Sequence, residues 1–202
     1  MYNWRKMTPE ERRAVLARRK VDRRPWHSVP HTAGEGRRYM LSAACYDHQP
    51  VIGRSPDRMA DFESQLVSQL NAHIQCLDAY VILPNHYHAV LTLDVEPGAN
   101  REVLHPALEA MIASLFKLHQ RTGFGWNRED RRRGRRVWCN VAETALKSEA
   151  HFHAAVNYVH HNPVKHGYAA DWTAWPYGNA SDYIHGVGRE EAMRRWTEYD
   201  IS

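Results

Sequence analysis

Two histidines and a tyrosine carry the chemistry this sequence offers. His86 and His88 lie in the stretch Tyr80-Val-Ile-Leu-Pro-Asn-His-Tyr-His-Ala-Val-Leu-Thr-Leu93, just after a Pro84-Asn85 break between two apolar runs. Side chains at i and i+2 of a strand point to the same face. The two imidazoles should therefore stand about 6–7 Å apart along the strand, close enough to share one ion. Tyr158 and Asn162 lie in a second stretch, Asn157-Tyr-Val-His-His-Asn-Pro-Val-Lys-His-Gly167, which reads as the end of a helix stopped by Pro163. At i and i+4 they sit one above the other on one helical face. The reading is that the two faces meet.

Two histidines do not complete a metal site. Asn162 can add a carbonyl oxygen, with phosphate oxygens and water filling the rest. Such mixed nitrogen and oxygen ligation suits Mg²⁺ or Mn²⁺ better than structural zinc, which takes four protein side chains. Imidazole favours Mn²⁺, because Mg²⁺ prefers oxygen. Tyr158 is the candidate nucleophile. A free phenol has a pKa of about 10, so it needs help at neutral pH. A cation on the attacked phosphate would make phosphorus more electrophilic and offset the developing charge. Attack on single-stranded DNA would leave a 5′-phosphotyrosine and a free 3′-OH, an ester from which the strand can be rejoined.

Bland alternatives stand beside these readings: strand histidines that merely pack, and a core tyrosine with a satisfied hydroxyl. Tyr87, between the histidines, should face away from them. His160 and His161 do not share the Tyr158 face at about 100° per residue, and read as packing or phosphate contacts.

The net charge of +4 and pI near 9.0 decide little, but the distribution does more. Arg12, Arg13, Arg18, Arg19, Lys20, Arg23 and Arg24 crowd the N-terminus. Arg131, Arg132, Arg133, Arg135 and Arg136 form a second block, suited to a phosphate backbone or to a solvated face. Lys165 and His166, after the helix end, are further candidates for DNA contact. Trp126, Trp138, Trp172 and Trp175 can stack on unpaired bases or anchor core and tail. The three cysteines, Cys45, Cys76 and Cys139, form no CxxC pair and read as small buried hydrophobes. No apolar run approaches the roughly 20 residues of a membrane helix, and no apolar segment follows the basic N-terminus as in a secretion signal. The expectation is a cytoplasmic protein with no membrane partner.

The elements that must position these groups follow from periodicity. Thr8-Pro9-Glu10-Glu11 opens a short basic helix to about Lys20. Residues 37–46 predict a first strand with Tyr39, Leu41, Ala43 and Cys45 on one face. Ser55-Pro56-Asp57 opens a helix carrying Met59, Phe62, Leu66, Leu70 and Ile74 at helical spacing. Residues 75–83 and 87–94 predict a hairpin of two strands. A second helix runs from Arg101 to about Gln120, with Leu104, Leu108, Met111, Ile112, Leu115, Phe116 and His119 buried. A polar loop spans 122–134, a fourth strand 136–141, a third helix 147–162, and a short last helix surrounds 190–196. The order β-α-β-β-α-β predicts an α+β protein: a ferredoxin-like split βαβ antiparallel sheet with helices on one side.

In this order the two stretches resemble the single-tyrosine HUH transposases. Leu83-Pro-Asn-His-Tyr-His88 is similar to their His-hydrophobic-His motif, with Tyr87 in the hydrophobic place. Asn157-Tyr-Val-His-His-Asn-Pro-Val-Lys-His-Gly-Tyr168 resembles the tyrosine helix of their REP-associated branch. The resemblance spans about residues 37–183. It implies His86 and His88 as metal ligands, Tyr158 as nucleophile and Asn162 as third ligand. It also implies Mg²⁺- or Mn²⁺-dependent cleavage of single-stranded DNA near a REP-like hairpin, guided by a short tetranucleotide at its foot. A monomer with its site in one chain, associated with the nucleoid, is expected. Residues 1–36 would form a basic extension, 37–170 the nuclease domain, and 171–202 a C-terminal extension on the domain or the DNA. Two rivals stay open: a non-catalytic module binding RNA on an exposed sheet face, and a metal hydrolase that activates water.

Overall fold

The computed structural model describes residues 36–199, together with Thr8, Glu10 and Ala14. The chain divides into two units, Met1–His31 and Thr32–Ser202. Apart from Thr8, Glu10 and Ala14, the predicted basic helix lies outside the described residues, as does almost all of the predicted N-terminal extension.

The elements of the second unit are β1 (Arg38–Ala44), α1 (Pro56–Asn71), β2 (Ile74–Leu83), β3 (His86–Leu93), α2 (Arg101–Glu129), β4 (Ala142–Ala145), α3 (Glu149–Lys165), α4 (Ala180–Val187) and α5 (Arg189–Glu198). The sheet order is β2-β3-β1-β4, and every neighbouring pair is antiparallel. Strands β1 and β2 are thus parallel to each other with β3 inserted between them. This is the split βαβ, ferredoxin-like arrangement of an α+β protein.

Alternation sorts side chains between the faces. Tyr39, Leu41 and Ala43 of β1 join Tyr87, Ala89 and Leu91 of β3 in a core closed by α1 and α2. Helix α1 starts where the sequence says. Pro56 takes its first position, and the Ser55 hydroxyl oxygen accepts the Arg58 backbone N–H at 3.2 Å. Phe62 meets Tyr87, Trp126 and Trp138 at ring-centroid distances of 5.8, 5.5 and 5.2 Å. Each such aromatic pair adds about 0.5–1.5 kcal/mol beyond its buried area.

Helices on one side describes the two crossover helices α1 and α2. The third helix goes to the opposite face. There Ala155, Val156 and Val159 of α3 pack on Ala79, Val81, Leu83 and Val90. All eight residues of β3 are buried as a result, which places His86 and His88 between a sheet and a helix.

Three predicted boundaries move. Helix α2 does not stop near Gln120 but continues to Glu129. Residues 122–129 look like loop because Gly123 and Gly125 disfavour helix by about 1 kcal/mol each. Burial of Thr122 and Trp126 offsets that, and Arg58 pairs bidentately with Asp130 at 2.6 and 2.9 Å where the helix ends. Phe116, expected in the buried stripe, is exposed.

The fourth strand is Ala142–Ala145, not 136–141. Trp138 makes only an isolated bridge with Cys45, while its ring fills the core against Phe62 and His119. The third helix runs three residues past Asn162, with Pro163 inside it. Proline removes one N–H and crowds the carbonyl four residues earlier, but it leaves the later donors free. His166 N–H donates to the Asn162 carbonyl, and Gly167, at φ +73°, closes the turn.

Of the cysteines only Cys45 is buried; Cys76 is exposed and Cys139 half-buried. No helix among the described residues is long and apolar enough to cross a membrane.

Candidate active site

Register decides what each histidine meets. His88 pairs across the sheet with Ser42 on β1, and His86 with Ala44. The Ser42 hydroxyl lies 2.6 Å from His88 Nδ1. With that nitrogen engaged, Nε2 is the atom left to bind, and it is buried with no hydrogen-bond partner.

His86 is fixed from the other side. Its Nδ1 is 2.7 Å from the Asn85 amide oxygen, while the Asn85 amide nitrogen donates to the His48 carbonyl. Asn85 therefore presents its oxygen, and His86 Nδ1 carries the proton. The Nε2 lone pair then faces the Asn162 Oδ1 at 3.1 Å. Both rings are held neutral. Burial pushes His86 down to about 4 and His88 down to about 3, the latter with help from the neighbouring imidazoles. A neutral imidazole has one N–H and cannot donate from both nitrogens. The arrangement thus sets the His86 Nε2 against the Asn162 amide, and it leaves the His88 Nε2 and the Asn162 Nδ2 buried without a hydrogen-bond partner.

A cation would engage the two Nε2 atoms and the Asn162 amide oxygen. The His86 and His88 rings lie 5.0 Å apart. Ser42 and Asn85 play the orienting part that metal-binding imidazoles ordinarily require on their other nitrogen. Among the described residues no three His, Cys, Asp or Glu side chains are grouped to hold a metal. The donor set for a cation here would be two imidazole nitrogens and one amide oxygen, a set that leaves positions for phosphate or water.

Helix α3 brings the phenol to the same place. The Tyr158 ring is 5.2 Å from the His88 ring and half-buried. Lys165 Nζ lies 5.0 Å from the Tyr158 ring centroid, and the His166 ring 5.1 Å from that of His86. Tyr158, His86, His88, Asn162, Lys165 and His166 thus form one cluster.

The arginines do not behave as a block. Arg132 and Arg135 line a polar cavity of about 350 Å³ with Gln49, Val51, Arg54 and Asp130. Arg136 turns to the Trp138 carbonyl and the Tyr46 ring. Arg131 and Arg133 are exposed.

Other residues near the tyrosine have supporting places. Tyr87 faces the core, its hydroxyl 3.1 Å from His119 Nε2. His160 packs on Tyr183 and Trp196, and His161 on Trp172 and Trp196, so both hold the C-terminal segment rather than the cleft. Asn157 donates to the carbonyls of Arg195, Trp196 and Tyr199 at the end of α5. Sequence reasoning missed Ser42 and Asn85. Adjacency to His86 could have flagged Asn85; nothing local points to Ser42, forty-odd residues away.

No family model and no curated protein matches this chain. It is similar to a solved structure of a REP-associated tyrosine transposase bound to a REP hairpin, with a TM-score of 0.54 and 14% identity, over 78% of this chain and 85% of that one. The two share a fold.

Proposed function

We propose that this chain is a metal-dependent endonuclease and strand transferase of the transposase type, acting on single-stranded DNA beside a hairpin of REP-like sequence. The observation that carries the reading is the approach of the Tyr158 ring to within 5.2 Å of His88, whose Nε2 is buried and unpartnered. The shared fold with a hairpin-bound tyrosine transposase supports it.

In this mechanism His86, His88 and Asn162 would hold Mg²⁺ or Mn²⁺. When bound, the ion supplies Lewis-acid activation of the scissile phosphate. Tyr158 attacks phosphorus, the phenolic O–P bond forms and the P–O3′ bond breaks. The phenol's proton goes to solvent and the 3′ oxygen takes one up. The product is a 5′-phosphotyrosine, which a 3′-OH reverses by the same path. Ser42 and Asn85 keep the imidazoles in the ligating tautomer. Histidines, amide and nucleophile come from one chain, so the site needs no residue from a second copy.

Coverage of the sheet weighs against a non-catalytic RNA module. Such modules stack bases on an open sheet face, whereas α3 covers β2 and β3 here.

The test uses a labelled pool of single-stranded hairpin oligonucleotides with randomised flanks, incubated with the protein and Mn²⁺. A covalent adduct that survives denaturation is expected, absent with Tyr158→Phe and absent with chelator. Cleavage without adduct would point to water as nucleophile and overturn the role of Tyr158. No cleavage at all overturns the nuclease.

A further inference from the structure

We propose that Lys165 is a catalytic residue of this chain, its ammonium contacting the non-bridging oxygens of the phosphate that Tyr158 attacks; the inference rests on the nuclease reading above. It comes from the continuation of α3 through Pro163. A helix ended at Asn162 would leave Lys165 in a turn. With the helix running to Lys165, that residue follows Tyr158 by seven positions, two turns on and only about 20° round the axis. Tyr158, Asn162 and Lys165 then form one strip, from nucleophile to metal ligand to cation. Lys165 Nζ is 5.0 Å from the Tyr158 ring centroid, and Lys165 is exposed at the helix end. Among the described residues no carboxylate pairs with it. Its charge is therefore available to a substrate.

The position suits the electronics of the step. As the Tyr158 oxygen bonds to phosphorus and the P–O3′ bond breaks, negative charge grows on the non-bridging oxygens. A fixed ammonium beside the attacking group stabilises that charge more in the transition state than in the ground state. Lys165 keeps its proton throughout. Its place over the ring also favours one orientation of the phenol. A lysine in the last turn of a helix also complements the helix dipole. That role alone would touch stability and leave the rate unchanged.

The experiment measures adduct formation with an oligonucleotide recovered from the hairpin pool, in Mn²⁺, for wild type, Lys165→Met and Lys165→Arg. Methionine keeps the length and helix propensity and removes the charge. The expected result is an adduct-forming rate about 10²-fold lower for Lys165→Met, a loss of DNA affinity below about tenfold, as for one phosphate contact at about 0.1 M salt, and substantial recovery in Lys165→Arg. An unchanged rate in Lys165→Met overturns the proposal. So does a rate that falls only in step with DNA affinity, which would make Lys165 a tether. An unfolding midpoint for each variant separates misfolding from chemistry; should Lys165→Met unfold, Lys165→Gln is read on the same terms. If wild type itself forms no adduct, the nuclease reading falls first; if wild type reacts and Lys165→Met matches it, only the role of Lys165 falls.

Discussion

The Nε2 of His86 lies 3.1 Å from the Oδ1 of Asn162, across 76 residues of sequence. With Asn85 claiming the other ring nitrogen, this imidazole nitrogen meets the Asn162 amide in a buried place. It is the contact on which the proposed metal site most directly depends.

Metal affinity should therefore track the orienting residues as well as the ligands. Removing an outer partner of a metal-bound imidazole typically costs about 10–100-fold in affinity. Ser42→Ala, which frees His88 Nδ1, and Asn162→Ala are each expected to weaken Mn²⁺ binding by at least about tenfold. Titration calorimetry at neutral pH checks it. Equal affinity in wild type and Asn162→Ala would show that the amide only packs.

Acid should destabilise the metal-free fold through its buried histidines. Burial lowers His86 to about 4, and His88 and His119 to about 3. In the unfolded chain each takes up its proton near its ordinary value of about 6.5. Between about 6.5 and 4 the unfolded state binds more protons than the folded one, so stability present above 6.5 is lost as the pH falls. The slope is at most about 1.4 kcal/mol per pH unit for each histidine. Urea midpoints with chelator present, from pH 7 to 4, should fall steadily. A flat profile would mean these rings are protonated in the native state.

Gly53 couples packing to the site. A Cβ there would stand 2.4 Å from the Pro84 Cβ, and the Gly53 N–H donates to the Pro84 carbonyl. Gly53→Ala should cost about 1–3 kcal/mol as an overpacking change. It should also weaken Mn²⁺ binding, because Pro84 and Asn85 carry His86. Gly125→Ala, with nothing within 4 Å, is the control and should leave Mn²⁺ affinity unchanged while raising stability by up to about 1 kcal/mol. A Gly53→Ala protein with full stability and full affinity would show that Pro84 moves freely.

The arginine run should divide in salt-dependence experiments. Arg132 and Arg135 line the polar cavity, whereas Arg136 is engaged with the Trp138 carbonyl. Removing a phosphate contact lowers the slope of log affinity against log salt by about 1. Arg132→Ala and Arg135→Ala should each do so on single-stranded hairpin DNA, and Arg136→Ala should change it less. Identical slopes for all three would mean the run acts only as diffuse charge.

Helix α1, the β2–β3 hairpin and the facing of His86 and His88 were legible in the sequence. Their signals are local: a Ser-Pro cap, apolar periodicity and a two-residue alternation. The spacing of Tyr158 and Asn162 was legible for the same reason. The end of α2, the position of β4 and the passage of α3 through Pro163 were not. Each depends on burial against distant residues, which outweighs local propensities of about 1 kcal/mol. The choice of sheet face for α3 was equally hidden, since only packing decides which of two apolar surfaces a helix covers. Sequence alone thus determined the chemical inventory: two imidazoles on one strand face, and a phenol and an amide on one helix face. Tertiary structure decided that they lie together, because strand register set Ser42 opposite His88 and helix packing carried Asn162 to His86.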